Sequence, residues 1–233
     1  MAKQPSLIVA AVERELRPMK ALIDGTPLAE RSQWITTGAG KIASAIAVTR
    51  ALTATPAACV TQIGCAGAFA SSQLECGDVV IAEEEILADE GAYGPDGFHD
   101  LESIALPSLQ TEDRALFNRV PLSLPTESER TQLVLATAGR FRVVSGRLAT
   151  VAAASGDSQS ATAVEERWHP LAESMEGAAA TLAALASGCP AYEFRGISNS
   201  VGRRDRDRWE IDAACANAAT IAHRFLELRF PPE

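Results

Sequence analysis

The sequence predicts an α/β protein with a single domain over residues 1–233, in which a mixed, largely parallel β-sheet is flanked by helices. Short runs rich in valine and isoleucine alternate with alanine-rich stretches of helical length, and several runs end in turns of small residues. Runs that are apolar on both faces are typical of a sheet covered by helices on both sides. The length of 233 residues fits one such domain.

The first third of the chain contains four predicted strands and two predicted helices. The strands cover residues 7–12, 34–37, 58–63 and 78–86, and the helices cover residues 13–22 and 41–52. Glycine-containing turns follow the second and third strands, as expected where a strand gives way to a helix or a loop.

The rest of the chain begins with an irregular stretch and then returns to the alternating pattern. Residues 88–140 contain four prolines and are predicted as an excursion from the sheet, with one helix near residues 112–119. Strands are then predicted at residues 142–144, 148–154 and 192–197, and helices at residues 161–168, 173–186 and 209–228.

Charge and composition exclude several classes of function. Asp and Glu outnumber Lys and Arg by 30 to 21, which argues against nucleic-acid binding through phosphates. No stretch reaches the ~18 apolar residues of a membrane span. The five cysteines are odd in number and lack a CxxC pair, and the three histidines are scattered, so we expect a cytoplasmic protein with reduced thiols and no metal site.

A glycine motif follows the second predicted strand. Residues 38–43 read GAGKIA, which matches GxGxxA between a strand and a helix. A dinucleotide site also requires an acidic residue at the end of the next strand, and residues 57–63 contain none. We therefore interpret the motif as a tight turn and expect no cofactor.

Four separated segments together resemble a known superfamily. They are VEREL at residues 12–16, GCAG at 64–67, SMEGAA at 174–179 and RGISN at 195–199. In this order they are similar to segments of the nucleoside phosphorylases and nucleosidases, in particular the methylthioadenosine/adenosylhomocysteine nucleosidases and the futalosine hydrolases. The extended string at residues 195–209 looks most like a futalosine hydrolase.

The resemblance implies hydrolysis of the N-ribosidic bond of futalosine, in menaquinone biosynthesis, without a cofactor. It implies that Glu15 activates water, that Met175 packs on the ribose and that Glu176 accepts the ribose hydroxyls. It also places the substrate near a set of small or polar residues, namely Cys65, Ala66, Gly67 and Ser198. Ser174 and Gly177 depart from the adenosylhomocysteine branch, which usually has glutamate and alanine there.

Asn199 is the residue that best discriminates between purines. Adenine-specific relatives have aspartate at this place, which donates a proton to purine N7 and accepts from the 6-amino group. An asparagine amide cannot donate that proton, but it offers one acceptor and two donors. Its donor suits a 6-oxo group and its acceptor suits an N7–H, so we expect preference for hypoxanthine as the leaving base.

Other positions bear on the nucleophile and on the rest of the substrate. Phosphorolytic relatives carry an arginine where this chain has Gln62, which favours water over phosphate. Futalosine carries a carboxylate, and we expect it to bind one arginine of a nearby cluster consisting of Arg203, Arg204 and Arg206. Gln159 matches a position beside the base, and the residue that stacks on the base stays open between Phe69 and Phe98.

Three alternatives remain open at this point. The first is an adenine-releasing nucleosidase for methylthioadenosine, adenosylhomocysteine or aminofutalosine, and the second is a purine nucleoside phosphorylase. The third is an inert module that senses purines. In each case the expected partner is a small purine nucleoside, and the relatives commonly form homo-oligomers.

Overall fold

The computed structural model describes residues 4–203 and 205–231. Within these ranges the chain forms six α-helices and three short 3-10 segments. The helices are α1 (Glu13–Ile23), α2 (Lys41–Ala54), α3 (Glu127–Ala136), α4 (Ser158–Trp168), α5 (Gly177–Ala186) and α6 (Ile211–Arg229). The 3-10 segments are Ala29–Arg31, Ala70–Ser72 and Arg206–Arg208.

The same ranges contain twelve strands, eight of which belong to one sheet. They are β1 (Ser6–Ala10), β2 (Ser32–Thr36), β3 (Cys59–Ala68), β4 (Val79–Leu87), β5 (Gly91–Gly94), β6 (Gly97–Asp100), β7 (Leu109–Gln110), β8 (Ala115–Leu116), β9 (Arg119–Pro121), β10 (Val143–Thr150), β11 (Ala172–Ser174) and β12 (Ala191–Ser200). The main sheet has the order β11-β10-β4-β12-β3-β1-β2, and β9 pairs with β4.

The main sheet is mixed and mostly parallel, as the sequence predicts. Five of its pairings are parallel, and the antiparallel ones are β11–β3, β12–β4 and β4–β9. The extra β11–β3 pairing joins the edge strand β11 to the middle of the sheet, so five strands form a closed ring. This closure brings the ends of β3, β11 and β12 together.

Apolar side chains alternate between the two faces of the sheet. Ile8 packs in a cluster with residues of α1 and α6, whereas Leu7 and Val9 pack in a cluster with residues of α2 and α5. The period of two along a strand therefore sends neighbouring residues into different helical layers. Both faces are covered by helices, and the predicted α/β architecture is confirmed.

The irregular stretch differs most from the expectation. The helix predicted near residues 112–119 is wrong, because residues 109–116 form the β7–β8 hairpin instead. The helix α3 was not anticipated, although Thr126 and Glu129 form a capping box at its start. That four-residue signal, TESE, is visible in the sequence and marks the helix start.

Two other boundaries also differ. The strands predicted at residues 142–144 and 148–154 are one strand, β10, which pairs along its length with β4. The helix predicted at residues 173–186 is split, because Ala172–Ser174 pair with β10 and β3 as β11 and the helix begins only at Gly177. Glu176 is consequently the N-cap residue of α5.

No helix in the described ranges is long and apolar enough to cross a membrane.

Gly196 sets the distance between β12 and α6. A β-carbon at this position meets the backbone of Ala214 at under 3 Å, and Ala214 is itself fully buried. Backbone atoms cannot move aside as a flexible side chain can. The glycine therefore permits the close packing of the helix behind the strand that carries Asn199.

We expect Gly196→Ala to lower the free energy of unfolding by about 1–3 kcal/mol, because the added methyl group overpacks the strand–helix contact. Gly146→Ala on β10 is the matched control, since its methyl group meets only the flexible side chain of Leu171. Urea unfolding should show the larger loss at Gly196, and equal losses would contradict the steric argument.

Candidate functional site

A cavity of about 200 Å³ opens where β3, β11 and β12 end, beside the start of α1. It is lined by Ala11, Val12, Glu15, Cys65, Ala66, Gly67, Val151, Ala154, Ser155, Glu173, Ser174, Met175, Glu176, Ser198, Asn199, Arg203 and Trp209. The ends of strands are where open α/β sheets place their ligands.

Backbone N–H groups hold the Glu15 carboxylate in this cavity. Its Oε2 accepts from Ala11 N at 3.0 Å and from Val12 N at 3.3 Å, and its Oε1 accepts from Cys65 N at 3.1 Å. Glu15 lies in the first turn of α1 and is only 5% exposed. These donors and the helix N-terminus stabilise a fixed, charged carboxylate.

Glu176 presents a second carboxylate to the cavity. Its Oε1 accepts from Gly40 N at 2.9 Å. The turn of the GxGxxA motif thus contributes a backbone donor to Glu176, and Gly38 and Gly40 adopt the positive φ that such a turn requires. Burial raises the pKa of Glu176, and the nearby Arg195 charge and the Gly40 N–H oppose the rise.

Arg195 is a buried cation next to both carboxylates. Its Nη1 lies 3.8 Å from Glu176 Oε2, and a β-carbon placed on Gly64 would be 2.6 Å from this Nη1 and 2.5 Å from Glu15 Oε1. Burial would lower the pKa of Arg195, but the charges of Glu193, Glu176 and Glu15 outweigh burial and raise it. The guanidinium is therefore charged and fixed behind the cavity.

Asn199 and Glu173 lie on opposite sides of Gly67. Gly67 pairs with Asn199 in β12 and with Glu173 in β11, so all three sit side by side at the cavity. Asn199 Oδ1 accepts from the Ser198 hydroxyl at 2.8 Å, and Asn199 Nδ2 donates to Ser200 O at 3.1 Å. One N–H and one acceptor site of the amide remain for a ligand.

Glu173 is a cavity residue that the sequence analysis did not identify. Its carboxylate accepts from Ser155 N at 2.8 Å and from Ser155 Oγ at 2.7 Å, and the Ser155 carbonyl accepts from Gly202 N at 3.1 Å. This series of hydrogen bonds from Gly202 through Ser155 to Glu173 connects three segments. They are the segment after β10, the segment before α5 and the segment after β12. Burial raises the pKa of Glu173, although the bonds from Ser155 oppose the rise.

The cavity brings together most of the residues that the sequence predicts as site residues. Those lining it are Glu15, Cys65, Ala66, Gly67, Met175, Glu176, Ser198, Asn199 and Arg203. Gln159 is exposed in the first turn of α4 and is not among the lining residues, so the structure does not support contact with the base. Arg204 lies outside the described residues, and Arg206 is described only by its backbone in the last 3-10 segment.

Neither phenylalanine considered for stacking reaches the cavity lining. Phe69 is buried in a cluster with Ile86 and Trp168, and Phe98 lies under the guanidinium of Arg167 at 4.0 Å. Among the described lining residues, Trp209 is the aromatic side chain, and its buried indole N–H lacks a partner within the described chain. Trp209 precedes α6 at the end of a charged stretch of the sequence. The composition of that stretch does not indicate that this tryptophan lines the cavity.

Gln62 faces away from the cavity. Its side-chain amide donates to Gly177 O at 3.1 Å and to Thr181 Oγ1 at 3.0 Å, both in α5. Both N–H groups of this amide are therefore used inside the core, and the residue is not part of the cavity lining. The sequence argument from Gln62 therefore loses its geometric basis.

One cluster of the described residues offers three metal-ligand atoms. Glu15, Cys65 and Cys215 place these atoms within 4.8 Å of one another. The carboxylate of Glu15 is already used by three N–H donors. The pKa of the Cys215 thiol is raised by its contact with Cys65 and by burial, which disfavours the thiolate that a metal requires. We assign no metal to this cluster.

We expect Glu173→Ala to lower the free energy of unfolding by about 1–3 kcal/mol, because Ser155 loses the acceptor for its buried N–H. Glu165→Ala is the matched control, since Glu165 accepts from Ser71 N in a more exposed position. Thermal or urea unfolding should show a clearly smaller loss for the control. A Glu173 variant as stable as wild type would contradict a structural role for this bond.

Comparison with known proteins agrees with the geometry. A family model described as the phosphorylase superfamily matches residues 25–228. The futalosine hydrolase of Thermus thermophilus is 32% identical over 193 residues, which cover 83% of this chain and 80% of that protein. The futalosine hydrolase of Streptomyces coelicolor is 33% identical over 168 residues, or 71% of this chain and 64% of that protein.

Solved structures show the same fold at low sequence identity. A methylthioadenosine/adenosylhomocysteine nucleosidase from Colwellia psychrerythraea, in complex with adenine, superposes with a TM-score of 0.80 at 19% identity, covering 96% of this chain and 95% of the other. The futalosine hydrolase of Helicobacter pylori has a TM-score of 0.75 at 18% identity, covering 97% and 98%. The chain therefore belongs to the phosphorylase superfamily, in which its sequence relatives are futalosine hydrolases.

Proposed function

We propose that this protein hydrolyses the N-ribosidic bond of futalosine and releases hypoxanthine and dehypoxanthinyl futalosine. The observation that carries the proposal is the Asn199 amide, which lies in one cavity with the Glu15 and Glu176 carboxylates. The futalosine hydrolases among its sequence relatives support the substrate. The same activity implies a place in menaquinone biosynthesis.

Glu15 is proposed to orient the attacking water. Cleavage of an N-riboside passes through a cation-like sugar, as in glycoside hydrolysis. A carboxylate fixed beside the anomeric carbon accepts the proton of the water and stabilises the developing positive charge. Three backbone donors fix the Glu15 carboxylate before substrate arrives, so little reorganisation is needed during the reaction.

Glu176 and Met175 are proposed to hold the ribose. The Oε1 atom of Glu176 uses one acceptor site for Gly40 N, and further lone pairs of the carboxylate remain for two adjacent hydroxyls. Met175 is half-buried and lines the cavity next to it, where its flexible apolar side chain packs on the sugar ring. The two residues precede α5 and are positioned by the turn between β11 and that helix.

Asn199 is proposed to bind the departing base. Once the Ser198 and Ser200 bonds are made, its amide keeps one N–H for the 6-oxo oxygen and one acceptor for N7–H. A 6-amino purine presents a donor to that N–H and leaves the amide unpaired. The mismatch is costly in a half-buried site, which favours hypoxanthine over adenine.

Arg203 is proposed to bind the carboxylate of futalosine. It is the exposed arginine of the described cavity lining and follows Asn199 by four residues. A guanidinium at the open side of the cavity matches an anion at the far end of the substrate.

The proposed function is tested by measuring base release from futalosine, inosine, methylthioadenosine and aminofutalosine, with and without phosphate. We expect release of hypoxanthine from futalosine, independent of phosphate, and at least about 100-fold slower release by Glu15→Gln. Faster release of adenine than hypoxanthine would assign the protein to the adenine-releasing nucleosidases. Phosphate-dependent release would assign it to the phosphorylases, and binding without release would leave a purine sensor.

We expect Asn199→Asp to shift the preference toward 6-amino substrates by at least about tenfold, because aspartate donates or accepts a proton where the amide cannot. The ratio of kcat/KM for aminofutalosine and futalosine measures this shift. Gln4→Glu is the control, because it makes the same amide-to-acid change at an exposed residue outside the cavity lining. An unchanged ratio would show that Asn199 does not recognise the base.

The raised pKa of Glu176 predicts an acid limb in the activity profile. Protonation removes acceptors for the ribose hydroxyls, and burial makes this protonation occur at higher pH than for a free glutamate, whose pKa is 4.5. Activity should be complete above the raised pKa and fall as pH decreases through it. A kcat/KM profile with its acid midpoint at or below 4.5 would contradict this assignment.

We expect Arg203→Ala to raise the KM for futalosine by about tenfold and to leave the KM for inosine unchanged, because inosine lacks the carboxylate. Arg208→Ala is the matched control, since Arg208 pairs with Asp205 at the surface and does not line the cavity. If both variants keep the wild-type KM for futalosine, the carboxylate is bound elsewhere.

We further propose a homo-oligomeric, cytoplasmic protein. Ile42 and Ile46 are exposed one turn apart on α2, close to the Gly40 turn, which supports a second copy of the chain on this face. All five cysteines carry free thiols, as expected in a reducing compartment.

A further inference from the structure

Two carboxyl groups behind the cavity take no part in the proposed mechanism. Glu85 on β4 and Glu193 on β12 are both 0% exposed. A β-carbon placed on Gly177 would collide with Glu85 Oε1 and lie 2.7 Å from Glu193 Oε1. The two carboxyl groups therefore adjoin each other beneath the first residue of α5.

Each of these groups has one oxygen without a partner in the described chain. Glu85 Oε2 accepts from Thr150 Oγ1 at 2.5 Å, and Glu193 Oε1 accepts from Arg195 Nε at 2.6 Å. Glu85 Oε1 and Glu193 Oε2 are buried and unpaired. Two ionised carboxylates would also repel each other in a medium of low dielectric constant.

One proton between the two carboxyl groups relieves this contact. A proton on Glu85 Oε1 becomes a donor toward Glu193 and removes the repulsion between the pair. Burial and then the charge of Glu193 raise the pKa of Glu85 well above its ordinary value, whereas Thr150 and Arg195 oppose the rise. Glu193 is the member of the pair that contacts Arg195 directly, so it keeps the negative charge.

Glu193 in turn fixes the direction of the Arg195 guanidinium. The hydrogen bond from Arg195 Nε to Glu193 holds one edge of the planar guanidinium. The Nη1 atom on the other side then points toward Glu176 and toward the space above Gly64, where Glu15 also lies. An arginine without this anchor could pair directly with either cavity carboxylate. Direct pairing would block the oxygen atoms that the water and the ribose require.

We propose that Glu85 and Glu193 form a buried acid pair that shares one proton, carried by Glu85, and that this pair positions Arg195 behind the two cavity carboxylates. Both are positioning residues, because they act on the reaction through Arg195. The catalytic part of this inference rests on the proposed function, but the protonation of Glu85 does not.

The test compares Glu85→Gln with Glu193→Gln. A glutamine at 85 supplies an N–H in place of the carboxyl proton, so we expect kcat within about threefold of wild type. A glutamine at 193 removes the charge that anchors Arg195, so we expect kcat at least about tenfold lower and partial recovery in Glu193→Asp. Thermal unfolding of all three variants separates loss of fold from loss of position. Equal losses of kcat in the two glutamine variants overturn the proposal.

Infrared spectroscopy in D₂O tests the proton without substrate. At pH 7.5 we expect a carbonyl band of a protonated carboxyl group in wild type, its loss in Glu85→Gln and its retention in Glu173→Gln. A wild-type protein without this band overturns the proposal even if it cleaves futalosine. If the protein shows the band but does not hydrolyse futalosine, only the proposed substrate is refuted. The kcat values of the variants are then compared on the nucleoside that the protein does cleave.

Discussion

The buried guanidinium of Arg195 is the group on which the site depends. A cation that is 2% exposed is stable only when carboxylates surround it, and Glu193, Glu176 and Glu15 supply them from β12, the start of α5 and α1. The dependence is mutual, because the same cation stabilises carboxylates that burial would otherwise neutralise. These charges thus hold β12, the start of α5 and α1 in one arrangement. The cavity lies next to this cluster of charges.

Two glycines make room for this cluster. Gly64 leaves space between Glu15 and Arg195, and Gly177 leaves space over Glu85 and Glu193. Gly177 is one of the two departures from the adenosylhomocysteine branch noted in the sequence. Its steric reason is now visible, since an alanine would displace the buried acid pair. The residue at the start of this helix is therefore coupled to carboxyl groups on two strands.

The sequence predicted the alternating core elements well because their apolar periodicity is local. It failed in residues 109–116, where a hairpin depends on turn geometry and not on a periodic face. The cavity-lining residues Glu15, Glu176 and Asn199 could be singled out from the sequence because they occur in contiguous strings. Glu173 was missed because the sequence places it at the start of a predicted helix, and Glu193 because it looks like an ordinary polar residue in a strand. Only the closed sheet shows that both are buried. Gln159 lies outside the cavity lining, because the residue matched to a loop is exposed in the first turn of α4.

The charge distribution also indicates whether water or phosphate is the nucleophile. Gln62 no longer decides this question, because it faces α5. The carboxylates of Glu15 and Glu176 line the cavity, and the positive charge of Arg195 behind them is already matched by Glu193 at 2.6 Å. A phosphate dianion placed beside those carboxylates would be repelled by their negative charge. Among the described buried residues next to them, no cation remains unmatched to offset that repulsion. Neutral water meets no such repulsion, and a cation-like sugar is stabilised by the same two charges, so the electrostatics of the cluster favour hydrolysis.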